Sequence, residues 1–138
     1  MQSAEVLRDL AGQLQALIRL VARPWRLSST QALILFTLPL DGIPHSDLAR
    51  RLGLDASTIT RVVVKMQTAG LVERLRSTDD RRVFLVTPTG LGRKLRRSLQ
   101  DRWEQEIHTV LEGMDTQHRE SLDEHLEELS WLLLRNRS

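Results

Sequence analysis

The sequence predicts a mainly helical fold of six helices, with one small β-hairpin between the fourth and the fifth. Three observations carry that prediction. Apolar residues recur at helical spacing at both ends of the chain, beginning with Leu7, Leu10, Leu14, Leu17, Ile18 and Val21. Capping residues and glycines punctuate the middle at places where short helices start and stop. A single stretch, Leu71 to Val86, sets two β-prone runs on either side of a polar tip.

The elements follow in order. The first amphipathic helix runs to about Val21 and is ended by Pro24. Ser28 and Ser29 offer N-caps to a second, with Leu33, Ile34, Phe36 and Leu38 apolar; Pro39, Asp41-Gly42 and Pro44 break it. A short third helix, Ser46 to Leu52, turns Leu48, Ala49 and Leu52 inward, and Gly53 stands where a helix end takes a left-handed residue. Asp55 then caps a fourth helix from Ala56 to about Ala69, closed by Gly70. Leu71 to Leu75 and Val83 to Val86 are the strands of the hairpin, with its tip at Arg76 to Arg82. Thr87-Pro88 opens a long helix with Leu91, Leu95, Leu99, Trp103, Ile107, Val110 and Leu111 on its apolar side. Asp115 or Thr116 caps the last helix, whose seam is Leu122, Leu126, Leu129 and Leu133.

Composition narrows the function. The 138 residues are 41% apolar and 28% charged, and suffice for one domain with a proper core. The longest apolar run, Ala32 to Leu40, is interrupted by Thr37 and Pro39, so no membrane span is expected. No signal-peptide pattern opens the chain, and a cytoplasmic protein is expected. Cysteine is absent, which excludes disulfides and thiolate metal sites. The net charge of +2 hides a strong asymmetry. Pro44 to Arg97 holds twelve Lys/Arg against five Asp/Glu, whereas Ser98 to Ser138 holds four against ten. A basic middle points to a polyanion; an ordinary set of solvated helix faces is the competing explanation.

Two helices joined by a tight turn, followed by a hairpin, spell a winged helix-turn-helix. In the second of the pair, Ile59, Val62, Val63 and Met66 form the buried stripe, leaving Ser57, Thr58, Thr60, Arg61 and Lys65 outside. Arginine can donate two hydrogen bonds to guanine, and small hydroxyls reach base edges or phosphates. Arg81 and Arg82 lie at the hairpin tip beside Asp79 and Asp80. An arginine on a stiff hairpin can enter a narrow minor groove, and a neighbouring carboxylate can orient its guanidinium.

Asp47-Leu48-Ala49-Arg50-Arg51-Leu52-Gly53-Leu54-Asp55-Ala56-Ser57-Thr58-Ile59-Thr60-Arg61-Val62-Val63 resembles the helix-turn-helix of MarR-family regulators. Ala69-Gly70-Leu71-Val72-Glu73-Arg74, Asp79-Asp80-Arg81-Arg82 and Thr87-Pro88-Thr89-Gly90 are similar to that family's approach to the wing, wing tip and exit. The resemblance implies a DNA-binding transcriptional regulator, usually a repressor. It implies a homodimer on a pseudo-palindromic operator, with Ser57, Thr58, Thr60 and Arg61 at the major groove and Arg81 or Arg82 in the minor groove. It further implies a lobe over residues 28–90 within a single domain of residues 1–138, and dimerisation helices over 1–23 and 91–138. Leu7, Leu10, Leu14, Leu122, Leu126, Leu129, Trp131 and Leu133 would then face the partner. A small-molecule effector pocket near Trp25 and Phe36 is a further implication. Departures from the family pattern include Val64, at a position that is often acidic in the family, and the segment from Arg82 to Thr87, which implies a second wing strand about two residues shorter than the family's usual one.

Other chemistry is poorly supported. His118 and His125 lie seven apart near Asp115 and Glu124, without the spacing that marks a metal site, so no metal and no cofactor is expected. No phosphate loop, nucleophile elbow or His-Glu-x-x-His motif occurs, and an enzyme is not expected. The rival from another class is a winged-helix module that binds a protein through its apolar end helices, its basic face being incidental.

Overall fold

Local signals in the sequence account for most of the element boundaries in the computed structural model, which describes residues 2–137. Helix α1 spans Gln2–Ala22 and passes into a single 3-10 turn, Arg23–Trp25, with Pro24 inside it. Helix α2, Ser29–Thr37, begins with a reciprocal cap: Ser28 Oγ accepts from the Gln31 amide at 3.1 Å, and Gln31 Oε1 accepts from the Ser28 amide at 2.9 Å. Helix α3, His45–Leu52, ends at Gly53 with φ of 67°, where the glycine amide donates to the Ala49 and Arg50 carbonyls. Helix α4 spans Ala56–Thr68, and the Asp55 carboxylate caps it by accepting from the Thr58 amide at 2.6 Å. Helix α5 is Gly90–Glu112 and α6 is Thr116–Asn136, the latter capped by Asp115 through the Gln117 amide at 2.9 Å.

The β-structure differs from expectation in two ways. A strand β1, Ile43–Pro44, pairs antiparallel with a later strand, so the sheet has three strands, not two. Two residues are too short a run to show period-2 alternation, and the prolines around them read as turn signals. The wing strands are β2, Val72–Arg76, and β3, Phe84–Pro88, in the order β1-β3-β2. They match one to one from Val72 opposite Pro88 to Arg76 opposite Phe84. Pro88 therefore closes a strand and does not open α5. Its missing N–H is tolerated at a strand terminus. Thr89 starts the helix instead, its Oγ1 accepting from the Gly92 amide at 3.0 Å.

Contacts divide the chain into two compact units, one ending at Trp103 and one beginning at Glu104. In the first, Ile34, Leu35 and Leu38 of α2, Leu48 of α3, Ile59, Val63 and Met66 of α4, Val72 and Val86 of the sheet and Leu99 of α5 form one buried cluster. Phe36 packs on Trp103 with ring centroids 6.3 Å apart. The wing root is tied to the start of α5: Thr89 Oγ1 donates to the Gly70 carbonyl at 2.5 Å and the Thr89 amide to the Leu71 carbonyl at 3.1 Å. A Cβ on Gly92 would run into that same Leu71 carbonyl, so only glycine lets the helix approach so closely.

Large apolar side chains remain uncovered in each unit. On α1 they include Leu7, Leu10 and Leu14; on α6 they include Leu126, Trp131 and Leu133. Leu122 and Leu129 are half-buried. No helix is long and apolar enough to cross a membrane among the described residues.

Candidate nucleic-acid interface

The outer side of α4 is set by which of its residues the core takes. Ile59, Val63 and Met66 are fully buried and Val62 half-buried, a stripe that fixes the rotation of the helix about its axis. Ser57, Thr60, Arg61, Val64, Lys65, Gln67 and Thr68 are consequently exposed, and Thr58 is half-buried. No residue of α4 is acidic. Among the described residues no carboxylate lies within ion-pair distance of Arg61 or Lys65. Both cations are therefore exposed and free of ion pairs among the described residues.

The hydroxyls on this helix are more constrained than the two cations. Ser57 Oγ donates to Asp55 Oδ1 at 2.9 Å, and Thr60 Oγ1 donates to the Ala56 carbonyl at 2.8 Å. Each keeps acceptor lone pairs for a partner, but its proton is engaged. Hydrogen bonds from Thr58 and then Ser57 hold the Asp55 carboxyl below the usual carboxylate range, with Arg61 adding a smaller pull. The cap is therefore charged at neutral pH, and α4 has a firmly anchored first turn.

The wing tip is built from side chains that brace its backbone. Ser77 Oγ accepts from the amides of Asp79 at 3.2 Å and Asp80 at 3.4 Å, and the Ser77 amide donates to the Val83 carbonyl at 2.9 Å. Asp80 then grips Arg82 in three places. Its Oδ1 accepts from the Arg82 amide at 3.0 Å and from Nε at 3.1 Å, and its Oδ2 accepts from Nη2 at 3.3 Å. That pairing lowers the Asp80 pKa. The Arg82 side chain is nonetheless 91% exposed, so the clamp orients a guanidinium that stays available. Arg81 is also exposed and has no carboxylate partner among the described residues. Of the two acids at the tip, Asp80 is the one that orients an arginine; Asp79 contributes its amide to the turn.

Two wing residues escaped the sequence reading. The Arg76 guanidinium donates to the Arg81 carbonyl at 2.8 Å, and Arg74 and Arg76 each sit 4.8 Å from the centre of the Phe84 ring. Their spacing of two along β2 was the available signal, since it puts them on the sheet face shared with Val72. At the wing root, burial first and Arg74 second push the His45 imidazole below its ordinary pKa. Its Nε2, like Arg74 Nε, is buried without a hydrogen-bond partner among the described residues.

Away from this face, Trp25, Leu27, Leu71, Leu91, Lys94 and Leu95 line an open groove of about 480 Å³. Trp25 thus stands beside a cavity, whereas Phe36 is taken up by Trp103.

A two-helix unit with a short turn, a hairpin following the second helix and an uncovered cationic face on that helix define a winged helix-turn-helix protein. The family model described as MarR family matches residues 27–84, from the cap of α2 to the start of β3. An uncharacterized HTH-type transcriptional regulator, YdgJ of Bacillus subtilis, is 26% identical over 122 residues, which span 88% of this chain and 74% of YdgJ. A MarR-family transcriptional regulator from Rhodococcus sp. RHA1 superposes with a TM-score of 0.83 at 22% identity, covering 94% of this chain and 92% of its own. The protein of an S. aureus MepR–DNA complex superposes with a TM-score of 0.78 at 15% identity, covering 96% and 99%. The last two likenesses are of fold. Residues 27–84 thus match the MarR-family model, and the chain as a whole has the fold of MarR-family proteins.

Proposed function

We propose that this protein binds double-stranded DNA sequence-specifically as a homodimer and represses transcription from the site it occupies. The carrying observation is the outer face of α4, where Arg61 and Lys65 stand exposed without a carboxylate within ion-pair distance among the described residues. In the proposed complex α4 enters the major groove. Arg61 donates to a base edge, Lys65 meets phosphate, and Ser57, Thr58 and Thr60 accept from or pack on neighbouring groups. The N-terminal amides of the same helix favour phosphate. The wing places Arg82, held by Asp80, or the unclamped Arg81 in the adjoining minor groove, where negative potential concentrates. The MepR–DNA complex, similar in fold, supports the reading of DNA as the partner.

Two copies are needed to read a pseudo-palindrome with half-sites about 10 bp apart or a multiple of that. The uncovered leucines of α1 and the Leu126, Trp131 and Leu133 positions of α6 supply apolar surface for pairing. The residues 1–23 and 91–138 would serve dimerisation, and 28–90 DNA. The groove beside Trp25 is the candidate place for a small-molecule effector that alters the fit of the lobes to successive grooves.

Titration of labelled duplexes, selected from a random pool, at several salt concentrations tests the reading. Specific binding to a symmetric site, with affinity falling steeply as salt rises, is the expected result. A protein that enriches no sequence and binds without salt dependence would belong to the rival class, a protein-interaction module.

A further inference from the structure

Three consecutive valines in α4 meet three different environments. Val63 is fully buried and Val62 half-buried, but Val64 is 45% exposed in the middle of the cationic face. Thr60 and Thr68 lie four residues before and after it, one turn away on each side. Both turn their hydroxyls back into the helix: Thr60 Oγ1 donates to the Ala56 carbonyl at 2.8 Å, and Thr68 Oγ1 to the Val64 carbonyl at 3.0 Å. A threonine bonded in this way has its rotamer set by the helix, and its methyl is the group left for contact. The row of positions 60, 64 and 68 is therefore aliphatic, inside a surface whose other members are Arg61, Lys65, Ser57 and Gln67.

Arg61 and Lys65 form the neighbouring row on one side of Val64, so the partner of this surface must also satisfy two cations. Duplex DNA does so, and among its bases only thymine carries a methyl group, at C5, into the major groove. Positions four apart on a helix are about 6 Å apart along its axis, close to two base steps of about 3.4 Å. Thr60 and Val64 can thus address neighbouring parts of one half-site.

We propose that Val64 is a specificity-determining residue that packs on a thymine C5-methyl group in each half-site, with the Thr60 methyl extending the contact. This rests on the DNA-binding reading and adds to it the base class that the centre of the recognition helix selects. Arg61 reads polar edges; Val64 reads a methyl.

The experiment starts from a duplex selected by the wild-type protein from a random pool. Each thymine of the half-sites is replaced by deoxyuridine, which pairs identically and lacks only the methyl, and affinity is read by fluorescence anisotropy. One or two positions per half-site are expected to lose about fourfold per methyl removed, the loss that one buried carbon implies. Val64→Ala is exposed, keeps a good helix former and should fold normally; it is expected to bind the thymine duplex more weakly and to be indifferent to deoxyuridine at those positions. Wild-type protein that binds the selected site equally with thymine and deoxyuridine throughout overturns the proposal while leaving DNA binding intact. Val64→Ala retaining the full methyl sensitivity removes Val64 from the role. A variant that changes sedimentation in place of base discrimination assigns the row to a protein contact and also overturns it. If the wild type selects no sequence at all, the DNA reading and this inference fall together.

Discussion

The outer face of α4 and the wing tip are both exposed and both cationic, yet they hold their arginines by opposite means. On α4 the backbone is rigid because Ile59, Val63 and Met66 are buried beneath it, and Arg61 projects without an ion pair among the described residues. At the tip there is no core underneath, and the loop is stiffened by Ser77 and Asp80 bonding to backbone amides, with Arg82 clamped by the same carboxylate. A helix can leave its exposed side chains loose because packing already fixes where they start. A solvated loop has to orient the side chain itself, through hydrogen bonds that water can replace.

That contrast predicts where a substitution is felt. The largest effect belongs under the helix: Ile59→Ala should lower unfolding stability by about 2–5 kcal/mol, read by denaturant melting. A cost below about 1 kcal/mol would mean that the core does not anchor α4. Next comes the helix's outer face, where Arg61→Ala should leave the melt unchanged. It should reduce preference for the selected site over random duplex by about 1–3 kcal/mol if the guanidinium reads a base.

A pair of carboxylate changes sharpens the comparison further. Asp55→Ala removes the cap of α4 and should lower the melting midpoint. Asp80→Ala should leave that midpoint in place and weaken DNA binding a few-fold by releasing Arg82. Equal melting losses for the two would erase the distinction drawn between helix and wing.

The smallest effect concerns pH at the wing root. His45 has a folded-state pKa below its unfolded value, so above about pH 6.5 it is neutral in both states and costs nothing. As pH falls below that value the unfolded chain takes the proton more readily, and stability drops. The melting midpoint should therefore decline from pH 7.5 to 5.5, and His45→Gln should flatten the decline. Asp55 and Asp80 do not interfere, because their lowered pKa values move their losses below about pH 3.9. An unchanged pH profile in the variant would remove His45 as the cause.

Much of the architecture was legible in single residues. Ser28, Gly53, Asp55 and Asp115 stand at the helix ends where their chemistry predicts, because a cap is a contact within three residues of chain. The buried stripe of α4 was equally readable from its 3.6-residue period. The third strand was not, since Ile43–Pro44 becomes β-structure only by pairing with Leu85 and Val86, far away in sequence. Pro88 misled for the same reason: its place opposite Val72 overrides the helix-start preference of proline.

At the candidate site the chain by itself determined residue types, charge sign and helix periodicity, all of which depend on neighbours a few positions apart. Tertiary structure decided which of Asp79 and Asp80 holds an arginine, and that the Thr60 proton is engaged while Arg61 carries no ion pair among the described residues. Those outcomes turn on rotation angles and ångström-scale distances set by the packed core. Different arrangements of that core would leave the same letters with different faces to present.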